Sequence, residues 1–196
     1  MKSQNKFFEK KLKLLSERGK ILDVGSGKPW QKEMAQYKDW FKNTTYETLD
    51  TDPQSQATHI ADVQKIPLPD ESYDAIICKA VLQHVPFPYN AIQQMHRVLK
   101  PGGLLLVYVP FIYPYHAKKN LYKDYWRFSK DGIERLFRDF QGLEISPVDG
   151  YFTTMLNFFP VSILRKTFKP ITILVDKLFQ TKKRSSVSGY YIFAKK

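Results

Sequence analysis

Residues 21–30 read ILDVGSGKPW, and the fold turns on this stretch. ILDV has the unbroken apolar character of a buried strand, and GSG behind it reads as a tight turn. Glycines there let the backbone approach a ligand with no Cβ in the way, and the next helix offers free N–H groups. Lys28 and Pro29 then stand where a third small residue would be expected. Proline suits the first position of a helix, where its missing N–H has no partner to lose. The spacing therefore predicts a helix over 30–42 with Pro29 in its first turn.

Outward from this corner, strand-like and helix-like pieces alternate. Residues 4–18 carry a helical apolar stripe (Phe7, Phe8, Leu12, Leu14, Leu15) on a basic background. Strands are expected at 20–24, 45–50 and 73–78, with a short one within 57–62. Between the second and third there is little room for a helix. Residues 89–99 set Ile92, Met95, Val98 and Leu99 on one helical face, which KPGG should stop. LLLVYVP (104–110) is apolar throughout, as in the middle of a parallel sheet. A helix at 129–140 has Ser129 as its cap. LEISPV (143–148) and the stretch from 189 look like the last strands, the final one antiparallel at the sheet edge. This order implies a single α/β domain with a doubly wound, Rossmann-like seven-stranded sheet, mostly parallel with an antiparallel last strand. Three segments decorate it: a basic helix in 1–19, a lid-like loop at 111–128, and an apolar, basic insertion at 151–188 broken by Pro160 and Pro170.

The composition, 43% hydrophobic and 26% charged, is that of a globular protein. The N-terminus lacks the apolar run of a signal peptide, and no stretch suits a membrane span. Cys78, the only cysteine, sits in an apolar strand and reads as a buried hydrophobe in a reducing, cytoplasmic setting. The net charge of +12 is concentrated at the ends: +5 in residues 1–20 and +8 in 160–196, against −1 between them. Basic ends attract phosphates of nucleic acid, anionic lipid or a phosphorylated carrier, or simply form a solvated face.

Ligands of open parallel sheets bind beyond the carboxyl ends of the strands. The first strand ends in Asp23, Gly25, Ser26 and Gly27, and the second in Asp50, whose carboxylate can accept both hydroxyl protons of a ribose. Asp62 follows the third strand, within reach of an adenine amino group, and His84 follows the fourth. A dinucleotide site wants G-x-G-x-x-G, but its last glycine would here be Trp30, which counts against NAD or FAD. No histidine, cysteine or carboxylate spacing points to a metal.

Taken together, ILDVGSG, YETLD, IPLPDESYDAIICKAVLQHV and RVLKPGGLLLVYVP resemble a class I S-adenosylmethionine-dependent methyltransferase of the small type-11 group, over roughly residues 20–148. The resemblance implies S-adenosylmethionine as cofactor. Asp23, Gly25, Ser26 and Gly27 would lie at its methionine end, Asp50 on the ribose, and Asp62 and Val63 at the adenine. Lys79, Ala80 and His84 would line the floor near the sulfonium. It also implies a bacterial, surface-glycan branch, in which the acceptor is a small molecule or a glycan carried on a lipid. The lid is dense in polar-tipped aromatics. Tyr115, Tyr125 and Arg127 are candidate substrate contacts, weighed against a packed lid in which Asp124 and Arg127 pair. His116 or His84 has the intrinsic pKa of a general base for a hydroxyl acceptor.

Three further readings stay open: a catalytically silent binding module, a nucleic-acid methyltransferase, and a homodimer. Against nucleic acid stands the absence of a D/N-P-P-Y/F motif. The insertion, with apolar Phe158 to Phe179 among Arg165, Lys166, Lys169, Lys177 and the 182–184 run, could pack on its own domain, meet a second copy, or lie on an anionic membrane.

Overall fold

A computed structural model describes residues 5–183 and 186–196. Residues 1–4 of the expected N-terminal helix, and Arg184 and Ser185 of the 151–188 insertion, lie outside the described residues.

The strands are β1 (Lys20–Val24), β2 (Thr45–Asp50), β3 (His59–Ile60), β4 (Tyr73–Lys79), β5 (Leu99–Pro110), β6 (Gln141–Val148) and β7 (Gly189–Lys195). They form one seven-stranded sheet in the order β3-β2-β1-β4-β5-β7-β6. β1 pairs in parallel with β2 and β4, β2 with β3, and β4 with β5. β7 is antiparallel to both β5 and β6. The last strand is thus antiparallel as expected, but it is inserted between β5 and β6 rather than added at the edge. Its run YYIFA is buried on both faces, which only an interior position permits.

Side chains alternate across the sheet, and each face has its own core. Leu22, Val24, Ile76 and Leu105 pack with α2 (Pro88–Val98) and α3 (Lys130–Leu136) on one side. Ile21, Ala75, Ile77 and Leu106 pack with α1 (Lys6–Ser16) on the other. Asn5 caps α1 by accepting from the N–H groups of Phe7 and Phe8, and Phe8, Leu12 and Leu15 are its buried stripe. Leu14, assigned to that stripe from sequence, points to solvent. Ser129 caps α3 through Gly132 N–H.

Three local expectations are corrected. Pro29 does not start a helix: Trp30 turns the chain with a left-handed φ of 61°, Gln31 is the cap, and a 3-10 helix spans Lys32–Phe41. The Trp30 ring stacks on Tyr46 with centroids 4.1 Å apart, and that packing delays the helix. KPGG does not stop α2, whose cap is the extended Leu99. Gly102, at φ 77°, instead makes the irregular entry to β5. Pro170 does not break the insertion. α4 (Tyr151–Leu156) and α5 (Ser162–Leu178) form a helical hairpin, and α5 runs straight through Pro170. The lost backbone bond is tolerated in a helix braced by packing on α4.

Candidate functional site

A cavity of about 670 Å³ opens at the carboxyl ends of β1, β2 and β4, beneath the lid. It is lined by Gly25, Asp50, Asp62 and Val63 from the strand ends, and by His84, Tyr115 and Tyr125 from the turn after β4 and the lid. These seven sequence-expected residues are brought together. Asp23, Ser26, Gly27, Lys79, His116 and Arg127 are not among the lining residues.

The strand-end lining follows from the glycine turn. Gly25 has φ 69°, and a Cβ on it would overlap Val81 Cγ2, so only glycine leaves this backbone against the cavity. Asp50 accepts from Asp52 N–H through one oxygen, at 3.0 Å. Asp62 holds the next turn by accepting from Gln64 N–H and Gln64 Nε2, both at 2.8 Å. Asp23 lies on the α1 side of the sheet, almost fully buried. Tyr46 Oη donates to its Oδ2 at 2.6 Å. Burial pushes its carboxyl up to about 6, against the hydrogen bonds from Tyr46 and Ser26 and the nearby Lys79 charge. Lys79 points the same way, its Nζ over the Phe8 ring, and so does not line the floor as expected. Cys78 is buried, and burial raises its thiol pKa, matching its reading as an inert hydrophobe.

The lid is a polar weave. Arg127 gives Nε–H to Tyr113 O, Nη1 to Asp124 Oδ1 and Trp126 O, and Nη2 to Asp124 Oδ2 and Pro114 O. Those five bonds equal the donor capacity of a guanidinium, and they include the pairing of Arg127 with Asp124. Asp124 also accepts from His116 N–H, and the Arg127 guanidinium beside it holds its carboxyl down to about 2. Tyr125 N–H donates to Gln83 O and Trp126 Nε1 to Val85 O, pinning the lid's far end to the turn after β4.

The two histidines differ. His84 Nδ1 faces Lys123 O at 2.6 Å; a carbonyl only accepts, so Nδ1 carries the proton. Its Nε2 is then the acceptor for Gln83 Nε2 at 3.0 Å, and burial holds its pKa below the usual imidazole value. Both nitrogens are occupied, and through them His84 ties the lid to the turn after β4. His116 stacks edge-on against His84, centroids 4.9 Å apart, with Nδ1 buried and 3.4 Å from Asp124 Oδ2 but without a hydrogen bond.

Sequence reasoning missed Lys118, Lys119 and Lys123, which line the cavity from the lid. A small turn, with Leu121 N–H donating to Lys118 O and a bridge between Lys118 and Tyr122, folds the lid back on itself here. Three lysines in six residues after a central strand were a legible signal. Charge had been read only as an excess at the two ends.

This is the fold of class I methyltransferases: a crystal structure of a SAM-dependent methyltransferase from Archaeoglobus fulgidus superposes with a TM-score of 0.64 at 12% identity, over 97% of this chain and 91% of that one. Phosphoethanolamine N-methyltransferase 2 of Haemonchus contortus, with phosphomonomethylethanolamine and S-adenosylhomocysteine, gives 0.58 at 15% identity over 90% of this chain and 48% of that one. Residues 22–107 match the Methyltransf_11 family model, a methyltransferase domain. In sequence, the chain is 39% identical over 69 residues to ubiquinone/menaquinone biosynthesis C-methyltransferase UbiE of Pseudomonas fluorescens (strain SBW25). That segment is 35% of this chain and only 27% of the relative's length. The fold is shared with methyltransferases and residues 22–107 match a methyltransferase domain, while the chain spans about a quarter of the length of the curated relatives it matches.

Proposed function

We propose that the chain transfers a methyl group from S-adenosylmethionine to a hydroxyl of an anionic, sugar-bearing acceptor, carried on a lipid as in bacterial surface-glycan assembly, in a cytoplasmic setting. One observation carries the reading: Gly25, Asp50, Asp62 and Val63 line the same cavity as lysines 118, 119 and 123 of the lid. The carboxylates suit a nucleoside with a cationic tail, and the lysines suit a phosphate- or carboxylate-bearing acceptor.

The residues present fit the cofactor, since Gly25 and Asp50 line the cavity at the ends of β1 and β2, and the left-handed turn at Gly25 carries no side chain between backbone and cavity. Asp50 would hold the ribose hydroxyls, and Asp62 with Val63 the adenine edge. Bound there, the cofactor supplies a methyl group on a cationic sulfur. The protein's task is then to align the acceptor and keep water out, which the pinned lid serves. His116 is the proposed proton acceptor, reaching the cavity through its edge-on contact with His84, which lines it, and held from behind by Asp124. Asp23, buried behind the glycine turn, fixes that turn through Tyr46 rather than touching the ligand.

Calorimetry with S-adenosylhomocysteine tests the reading. Binding should be measurable in the wild type and fall at least about tenfold in Asp50→Ala, the loss of one charge-assisted hydrogen bond. Wild-type affinity weaker than about 1 mM, roughly −4 kcal/mol, would leave a methyltransferase-like binding module instead.

A further inference from the structure

We propose that the α4–α5 hairpin is a docking surface for an anionic lipid bilayer. The proposal rests on the hairpin alone and holds whether or not the cavity transfers a methyl group.

None of the hairpin's apolar side chains joins either core of the domain, and the only buried residue of α5 is Asp176. Of the three alternatives for this segment, packing on its own domain leaves this apolar face uncovered. Ile163, Phe168, Ile171, Leu174 and Leu178 recur three to five residues apart and form one outward stripe, with Ile163 68% and Leu178 71% exposed. Phe158, Phe159 and Phe179 extend the apolar surface to both ends of the helix. A continuous apolar face of this kind is rare on a free surface and marks a contact.

Charge decides what covers it. Across 151–183 the cations are Arg165, Lys166, Lys169, Lys177, Lys182 and Lys183, and the single acid is Asp176. That acid is buried and consumed: it accepts from Phe152 N–H, Thr153 N–H and the Thr181 hydroxyl. The exposed surface is thus apolar and purely cationic. Against a second copy, a two-fold contact would set these lysines against each other with no carboxylate to answer them. A nucleic acid would satisfy the lysines but leave Ile163, Ile171, Leu174 and Leu178 in water. A bilayer with anionic headgroups satisfies both, with the stripe entering the acyl boundary and the cations remaining at headgroup level.

Topology gives the surface a place. β6 is antiparallel to β7, and β7 to β5, so β6 ends on the same edge of the sheet as β5 and β4. The hairpin therefore rises from the edge that carries the cavity. Its base is bonded to the start of the lid, with Phe111 N–H donating to Ser188 O and Ile112 N–H to Val187 O.

Flotation of the full chain with vesicles tests this, comparing phosphatidylcholine alone with phosphatidylcholine plus phosphatidylglycerol. The wild type should float with the anionic vesicles only, less so in high salt. Ile171→Asp with Leu174→Asp should lower partitioning at least about tenfold, since both positions give up apolar burial. Because both side chains are exposed, the double variant should keep the wild-type melting temperature. Lys166→Glu with Lys169→Glu should weaken binding to anionic vesicles through charge instead, by replacing attraction to the headgroups with repulsion. A wild type that never floats, or a double variant that floats equally well, overturns the proposal. So does a wild-type dimer that the double variant splits without any vesicle binding, or a lysine-dependent RNA shift without flotation.

Discussion

Arg127 grips Asp124 through two parallel hydrogen bonds, Nη1 to Oδ1 at 2.6 Å and Nη2 to Oδ2 at 2.8 Å. The Asp124 side chain is fully enclosed, and the same guanidinium ties down Tyr113 and Pro114 through their carbonyls. The lid is thus held from within.

Arg127→Ala should loosen 111–128 and cost about 1–3 kcal/mol, because it leaves the Asp124 carboxylate enclosed without its main partner. Arg127→Lys should recover little, since an ammonium cannot reproduce the fork. Limited proteolysis within the lid, read beside a thermal melt, checks both. Equal protease resistance in wild type and Arg127→Ala would contradict a bracing role for Arg127.

Gly25→Ala should abolish S-adenosylhomocysteine binding while leaving the protein folded. The backbone at φ 69° disfavours a side chain by about 1–2 kcal/mol, and the new Cβ would also collide with Val81. Gly142→Ala is the control. Its φ is 57° but nothing lies within 4 Å, so it should cost about 1 kcal/mol and leave binding unchanged. Calorimetry on the two variants separates steric closure of the site from backbone strain.

Asp23 makes stability depend on pH. Its carboxyl pKa is raised from 3.8 to about 6 in the fold, mainly by burial. The folded state therefore keeps a proton that the unfolded chain has released. This contribution is fully present below about pH 4 and lost as pH rises through about 6, at about 3 kcal/mol in all. Asp23→Asn should match the wild type near pH 4 and be the more stable protein at pH 7. Urea melts at a series of pH values measure it, and a difference that does not change with pH would contradict the buried-carboxyl account.

Asp176→Ala should release the hairpin from its own base. The carboxylate caps the first turn of α4 through two N–H groups and binds Thr181, so its loss should cost about 1–3 kcal/mol locally. Hydrogen exchange should rise across 151–183 while β4 and β5 stay protected. Uniform protection would mean that the hairpin is anchored elsewhere.

What could be read in advance divides along range of interaction. β1 and β2 matched their expected bounds because strand propensity and alternation are written in consecutive residues. The cluster of Gly25, Asp50, Asp62 and Val63 was legible because each residue sits at a strand end, where the topology converges. The displaced helix start was not, because Trp30 answers to Tyr46, a partner sixteen residues on. The roles of His84 and Arg127 were equally hidden. His84 is set by the carbonyl of Lys123, 39 positions away, and Arg127 by three backbone carbonyls that carry no sequence signature. The exposed hairpin stripe was visible as a pattern, but burial against the domain leaves the same pattern.

The position of β7 has a consequence for synthesis. Among the described residues, β6 finds its only sheet neighbour in β7, and β7 alone covers the outer edge of β5. Until residues 189–195 have left the ribosome, the apolar run 104–110 keeps an open edge, and everything from 141 onward hangs without a sheet to join. Before β7 emerges, the nascent chain thus combines a bare strand edge with the exposed hairpin stripe, an aggregation-prone form. Pairing of β7 closes the strand edge, while the hairpin stripe stays open in the folded chain.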